Sequence, residues 1–304
     1  MTAAPPGRLP RGGSLRLATR GSALALVQAR LAARALGSAG AGAVTTVVIR
    51  TAGDRQPDTP TDAMEGEGWF TSELEAALLD GRADCAVHSA KDLPTELAAG
   101  LAVVAHLERG DPRDALALRP GEGSGLADLV GGARVGTSSP RRAAQLLEAR
   151  PDLRVVSIRG NVDTRLRKLD DGEVDALLLA CAGLDRLGRA DRVTVRLDPR
   201  RHVPAPAQGA VALEVTQGGA AAAVVSGVDH ATTTIAVRAE RALLAHLGGG
   251  CRLPLGAWAR LESGRLVLSA ALGVAGGAVR HAELAGDAAD PIALAGRVAA
   301  ELAG

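Results

Sequence analysis

Short apolar runs alternate with helical stripes along most of the chain. Leu15–Thr19 reads as a strand, Arg20-Gly21 turns it, and Ser22 caps a helix running to about Leu36. That helix places Leu24, Val27, Leu31 and Ala35 on one face. Val44–Ile49 is a β-branched strand. A helix follows from about Ser72 to Gly81, with Ser72 and Glu75 spaced as a capping box. Ala83–Ser89 is a buried, parallel-type strand that runs into Lys91-Asp92, and Pro94 stops it. Leu101–Leu107 is the next strand.

Glu108–Asp114 interrupts the pattern as a crossover, after which the plan repeats. Arg134-Val135-Gly136 ends a strand, Ser139 caps a helix with Pro140 at its first position, and that helix runs to about Arg150. Leu153–Ile158 is a strand, Asn161–Leu169 a helix closed by Asp171-Gly172, and Val174–Ala180 a buried strand. Pro204–Gly209 forms a second crossover, and the strand at Ala210–Val215 returns to the first domain. A long helix covers about His230–Leu247. Strands at 255–261, 265–272 and 278–284, joined by Ser263-Gly264 and Gly276-Gly277, make an antiparallel sheet, and a last helix covers 290–303. The pattern predicts two similar α/β domains facing a cleft and a small α+β C-terminal domain. The boundaries are a disordered tail at 1–13, domain 1 at 14–108 and 209–227, domain 2 at 113–204, and domain 3 at 228–304.

Composition narrows the class. The hydrophobic fraction is 47% and the aromatic fraction 1%, so the core is built of Leu, Val, Ile and Ala. A net charge of +1 argues against a nucleic-acid binder, and no run is long enough to span a membrane. Met1–Gly13 has no apolar signal core, and three dispersed cysteines fit a reducing cytoplasm. No metal-ligand spacing is present.

Charge distribution points to chemistry. Only Lys91 and Lys168 among the 35 basic residues are lysines, so a lysine beside Asp92 at a strand end stands out. From Arg134 to Lys168 nine basic residues face three acidic ones. Ser138-Ser139 lead into Arg141-Arg142 at a helix N-terminus, where free N–H groups, the helix dipole and guanidinium forks suit an anion. Arg159 lies at a strand end and Arg165 one turn into the next helix. Arg20 with Ser22 offers the matching position in the first domain. The alternative is a solvated basic face. Cys85 and Cys181 lie in or beside apolar strands and read as inert core residues. Cys251 sits in the Gly248–Pro254 loop next to Arg252, a setting that lowers a thiol pKa. No histidine is assigned a catalytic role.

Five segments occur in order: Val87–Pro94, Gly136–Arg142, Ile158–Arg165, Ala182–Gly188 and Gly250–Gly256. In them the chain resembles the porphobilinogen deaminase (hydroxymethylbilane synthase) family from about Leu15 to its C-terminus. The resemblance implies two domains built like type II periplasmic binding proteins plus a small third domain. It implies a dipyrromethane cofactor joined by a thioether to Cys251. It further implies head-to-tail joining of four porphobilinogens with loss of ammonia, in a monomer serving porphyrin and heme biosynthesis. The family's catalytic aspartate falls on Asp92. Its binding positions fall on Arg20, Ser22, Lys91, Ser139, Arg141, Arg142, Arg159, Arg165 and Arg186, with an aromatic role for Phe70. Thr61–Gly68 departs from the family pattern, carrying Asp62, Glu65 and Glu67 but no lysine. A competing reading is an anion-binding receptor or regulatory domain on the same two-lobed plan.

Overall fold

The computed structural model describes residues 14–55, 69–250 and 253–304. The tail at 1–13, the acidic segment Thr61–Gly68 and the pair Cys251-Arg252 lie outside the described residues. In chain order the first elements are β1 (Leu15–Arg20), α1 (Ala23–Ser38), β2 (Val44–Ile49), α2 (Ala52–Arg55), α3 (Ser72–Leu79), β3 (Cys85–Ser89) and β4 (Leu101–His106). Next come β5 (Asp114–Leu118), β6 (Arg134–Gly136), α4 (Pro140–Ala149), β7 (Arg154–Val156), α5 (Val162–Asp170), β8 (Ala176–Ala180), α6 (Cys181–Arg186) and β9 (Val195–Arg196). The chain ends with β10 (Val211–Thr216), α7 (Ala220–Ser226), α8 (Ala231–His246), β11 (Leu255–Glu262), β12 (Arg265–Gly273), β13 (Val279–Gly286) and α9 (Pro291–Ala303).

The first unit holds residues up to Arg109 together with Ala210–Thr234. Its five-stranded sheet runs β2-β1-β3-β10-β4. β1 pairs parallel with β2 and β3, while β10 inserts antiparallel between β3 and β4. Strand β10 therefore does return to the first sheet. Leu17, Val87, Leu213 and Val215 on one face pack with Ala32 and Leu36 of α1 and Ala221 and Val225 of α7. Ala18 and Ala86 on the other face pack with Leu74, Ala77 and Leu78 of α3.

Two local expectations are corrected. The fully buried positions of α1 are Ala25, Gln28, Ala29, Ala32 and Leu36; of the expected stripe, Leu31 and Ala35 pack half-buried at the edge of this core, and Leu24 and Val27 stay half-exposed. Alanines win because a small face lets the helix lie close on the sheet, where a leucine stripe would hold it off. The capping box is absent too: α3 starts one residue earlier than a Ser72 cap requires, and its cap Thr71 makes no side-chain capping bond. Glu75 is thereby turned inward and buried.

The second unit contains the other two sheets. One is five-stranded in the order β7-β6-β8-β5-β9, with β6 parallel to β7 and β8 and β5 antiparallel to β8 and β9. It is the same pattern as the first sheet, with β5 where β10 stands. The other is the antiparallel sheet β11-β12-β13. Ser263 and Gly264 both have positive φ, 48° and 77°, as a two-residue hairpin turn requires. α8 and α9 cover this sheet through Leu243, Leu294 and Val298. Glu240, fully buried on α8, accepts the Ala207 N–H at 2.6 Å and the Ala259 N–H at 2.7 Å. It ties the second crossover to β11.

Candidate functional site

In the first unit the adjacent parallel strands β1 and β3 deliver their carboxyl ends to one edge of the sheet, the usual place for ligands in α/β folds. β1 ends at Arg20, and Ser22 Oγ then accepts the Ala25 N–H at 3.3 Å to cap α1. β3 ends at Ser89 and tightens into a 3-10 turn over Ala90–Asp92. Arg20, Ser22, Phe70 and Asp92 consequently line one pocket, together with Gln28, His88 and Ser89. The Arg20 guanidinium lies over the Phe70 ring, 4.1 Å from its centroid. Gln28 Nε2 donates to Ser89 Oγ at 2.8 Å, fixing the side of the pocket next to the turn. Lys91 is half-buried in the turn beside Asp92.

His88, which lines the pocket, belongs to a group of three buried titratable residues. His88 Nε2 and Glu214 Oε2 are 3.0 Å apart, and Glu75 reaches the same region from α3. Burial first, and the Glu214 charge second, push the Glu75 carboxyl above the usual range.

In the second unit Ser139 Oγ accepts the Arg142 N–H at 3.4 Å and Pro140 opens α4, as the sequence pattern requires. The expectation of two open guanidinium forks at this helix start is corrected. Arg141 and Arg142 are buried and converge on Asp114, the first residue of β5. Arg141 Nη1 donates to Asp114 Oδ2 at 2.7 Å, and Arg142 donates to Oδ1 through Nε at 3.0 Å and Nη2 at 2.7 Å. Arg141 Nη1 also donates to the Val203 carbonyl at 2.8 Å, Arg142 Nη1 donates to the Leu178 carbonyl at 3.0 Å, and Gln208 donates to Asp114 at 2.9 Å. Burial opposes the Asp114 charge, and the two guanidiniums outweigh it, holding the carboxyl well below its usual range.

Arg165 is half-buried with its Nε donating to the Gly160 carbonyl at 2.8 Å. Burial, then the charges of Arg142 and Arg159, pull its pKa down to about 10. Among the described residues the group sets Arg141, Arg142, Arg159 and Arg165 beside Asp114, a composition that suits a ligand carrying several carboxylates. Arg186 donates to the Gly209 carbonyl at 2.7 Å, on the second crossover.

Cys85 and Cys181 are buried free thiols. Burial pushes both up, Cys181 to about 12, so neither is a ready nucleophile.

The family model described as "Porphobilinogen deaminase, dipyromethane cofactor binding domain" matches residues 15–223, and the "Porphobilinogen deaminase, C-terminal domain" matches 234–304. The chain belongs to the porphobilinogen deaminase family. It is 45% identical over 291 residues to the porphobilinogen deaminase of Roseiflexus castenholzii, covering 95% of both chains. It is 48% identical over 289 residues to that of Xanthomonas euvesicatoria pv. vesicatoria, covering 94% of both. It is therefore an enzyme of this family, with a dipyrromethane cofactor-binding domain. Among solved structures it is similar to the methionine-binding protein MetQ, with a TM-score of 0.45, 13% identity and coverage of 71% of this chain and 88% of that one. The aliphatic sulphonate binding protein SsuA from Escherichia coli gives a TM-score of 0.42 at 16% identity, covering 76% of this chain and 69% of that one. Each of the two five-stranded sheets carries one inserted antiparallel strand.

Several site residues escape a reading of the sequence. Asp114 looks like part of a polar crossover, although an acid opening the apolar run Ala115–Leu118 is a usable signal. Gln28 sits on a helix and partners Ser89 far away in sequence. His88 meets Glu214 only because β10 returns to the first sheet.

Proposed function

We propose that the chain joins four porphobilinogen molecules head to tail, with loss of ammonia, into the linear tetrapyrrole hydroxymethylbilane. The observation that carries this reading is the shared pocket of Asp92 and Arg20. Porphobilinogen brings an acetate, a propionate and a cationic aminomethyl group, and such a pocket offers one group for each sign of charge.

Asp92 is the catalytic carboxylate. As ammonia leaves the substrate, positive charge spreads over the pyrrole ring, and a fixed carboxylate near the ring N–H stabilises that charge as it grows. Asp92 also handles the proton of the leaving amine. Lys91 tunes Asp92 and anchors carboxylates, while Arg20 and Ser22 bind the substrate's acids and Phe70 backs Arg20. Ser139, Arg159, Arg165 and Arg186 serve the carboxylates of the growing chain. Arg141 and Arg142 add to the positive field there and are held in place by Asp114.

The residues present fit a dipyrromethane: a group of arginines, in which burial first and the charges of Arg142 and Arg159 next lower the pKa of Arg165, matches a group rich in carboxylates. When bound by thioether to Cys251, that group supplies the pyrrole carbon to which the first substrate is joined.

Intact-mass measurement tests the reading. The purified protein should carry a dipyrrole adduct and gain successive pyrrole units on adding porphobilinogen, and Cys251→Ser should carry none. A bare polypeptide mass that does not change with porphobilinogen overturns the assignment and favours an anion receptor.

A further inference from the structure

We propose that Gly53 is a positioning residue of the pocket: its missing side chain lets Phe70 lie against the Arg20 guanidinium and fixes where that cation sits. The proposal deepens the reading of Arg20 as the substrate's carboxylate binder, and rests on it.

A Cβ built on Gly53 would stand 2.0 Å from Phe70 Cε1, 2.5 Å from Cδ1 and 2.7 Å from Cζ. No side chain can share that space with a flat, rigid ring, so either the ring or the α2 turn must move. The requirement is for room rather than for backbone freedom, because Gly53 is absent from the positive-φ glycines. The Gly53 N–H donates to the Trp69 carbonyl at 3.0 Å, which ties the turn to the residue just before Phe70. The same ring lies 4.1 Å from the Arg20 guanidinium carbon. A guanidinium stacks through its face and binds carboxylates through its edge, so stacking presets the cation without using its recognition geometry. Phe70, Arg20 and Asp92 line one pocket, so a shift of Arg20 displaces the substrate relative to the catalytic carboxylate.

The test is a double-mutant cycle on the cofactor-bearing protein with Gly53→Ala, Phe70→Leu and the double variant, reading KM and kcat for porphobilinogen. Losing a cation–π contact predicts that each single variant raises KM by roughly 2- to 30-fold, with the smaller change in kcat. The double variant should be no worse than the worse single, because a leucine leaves room for the new methyl group. Multiplying effects, or an unchanged KM in Gly53→Ala, overturn the proposal. If Gly53→Ala alone is too unstable to assay, comparing Phe70→Leu with the double variant still decides: a large further loss means Gly53 acts elsewhere. Arg20→Leu separates the two levels. An unchanged KM there sinks the carboxylate-binding role of Arg20, while a large rise combined with multiplying effects sinks only the clip.

Discussion

The starts of α1 and α4 are the same piece of architecture carrying different chemistry. Each follows the first parallel strand of a five-stranded sheet, and each is capped by a serine hydroxyl, Ser22 or Ser139. After Ser22 come apolar residues, and the charged groups of the pocket arrive from the end of β1 and from the turn after β3. After Ser139 come two arginines that turn inward onto a buried carboxylate. A shared backbone design thus supplies anchored helix starts, and the side chains that follow decide what chemistry each can host.

The comparison breaks most visibly at Asp92. Asp92→Asn keeps the shape and removes the charge, so kcat should fall on the order of 10²-fold or more while substrate still binds. Single-turnover ammonia release from the cofactor-bearing variant measures this, and a rate within about two-fold of the parent would remove the first unit's catalytic role.

The matching variant in the second unit acts on stability. Asp114→Leu strands two buried guanidiniums and should cost about 3–5 kcal/mol in denaturant unfolding. The folded-state pKa of Asp114 is lowered, so its stabilisation is present above the unfolded value of 3.8 and is lost as pH falls below it. Asp114→Asn should flatten that acid limb; an unaltered limb would mean the carboxylate is not what holds Arg141 and Arg142.

The buried partners of His88 sharpen the contrast at smaller size. Glu214→Gln removes the charge that faces His88 and should cost about 1–3 kcal/mol. Glu75→Gln mimics a neutral acid and should be tolerated. Because the folded pKa of Glu75 is raised, its stabilisation is complete below the ordinary 4.5 and is lost as pH rises through the folded value. Relative to the parent, Glu75→Gln should therefore gain stability as pH rises above 4.5, as unfolding measured across that rise would show. Equal destabilisation by the two variants would mean that Glu75 is ionised in the fold.

The smallest effects test the shared design itself. Ser22→Ala and Ser139→Ala should each cost about 1 kcal/mol by thermal unfolding. A much larger loss at Ser139 would show that its hydroxyl also organises the arginines.

Much of this was written locally. The caps at Ser22, Ser139 and Asn161, the Pro140 start and the Ser263-Gly264 turn each depend on a few neighbouring residues, so sequence alone determined them. The ordered motifs likewise carried the family. Tertiary structure decided whatever depends on a partner distant in the chain. Asp114 claims Arg141 and Arg142 from 27 and 28 residues away, His88 finds Glu214 across 126, and α1 buries its alanines because a sheet must fit beneath it. The physical reason is common to all three. Capping and turn geometry are properties of a short stretch of backbone, whereas pairing a buried charge or seating a helix depends on which surfaces the fold presses together.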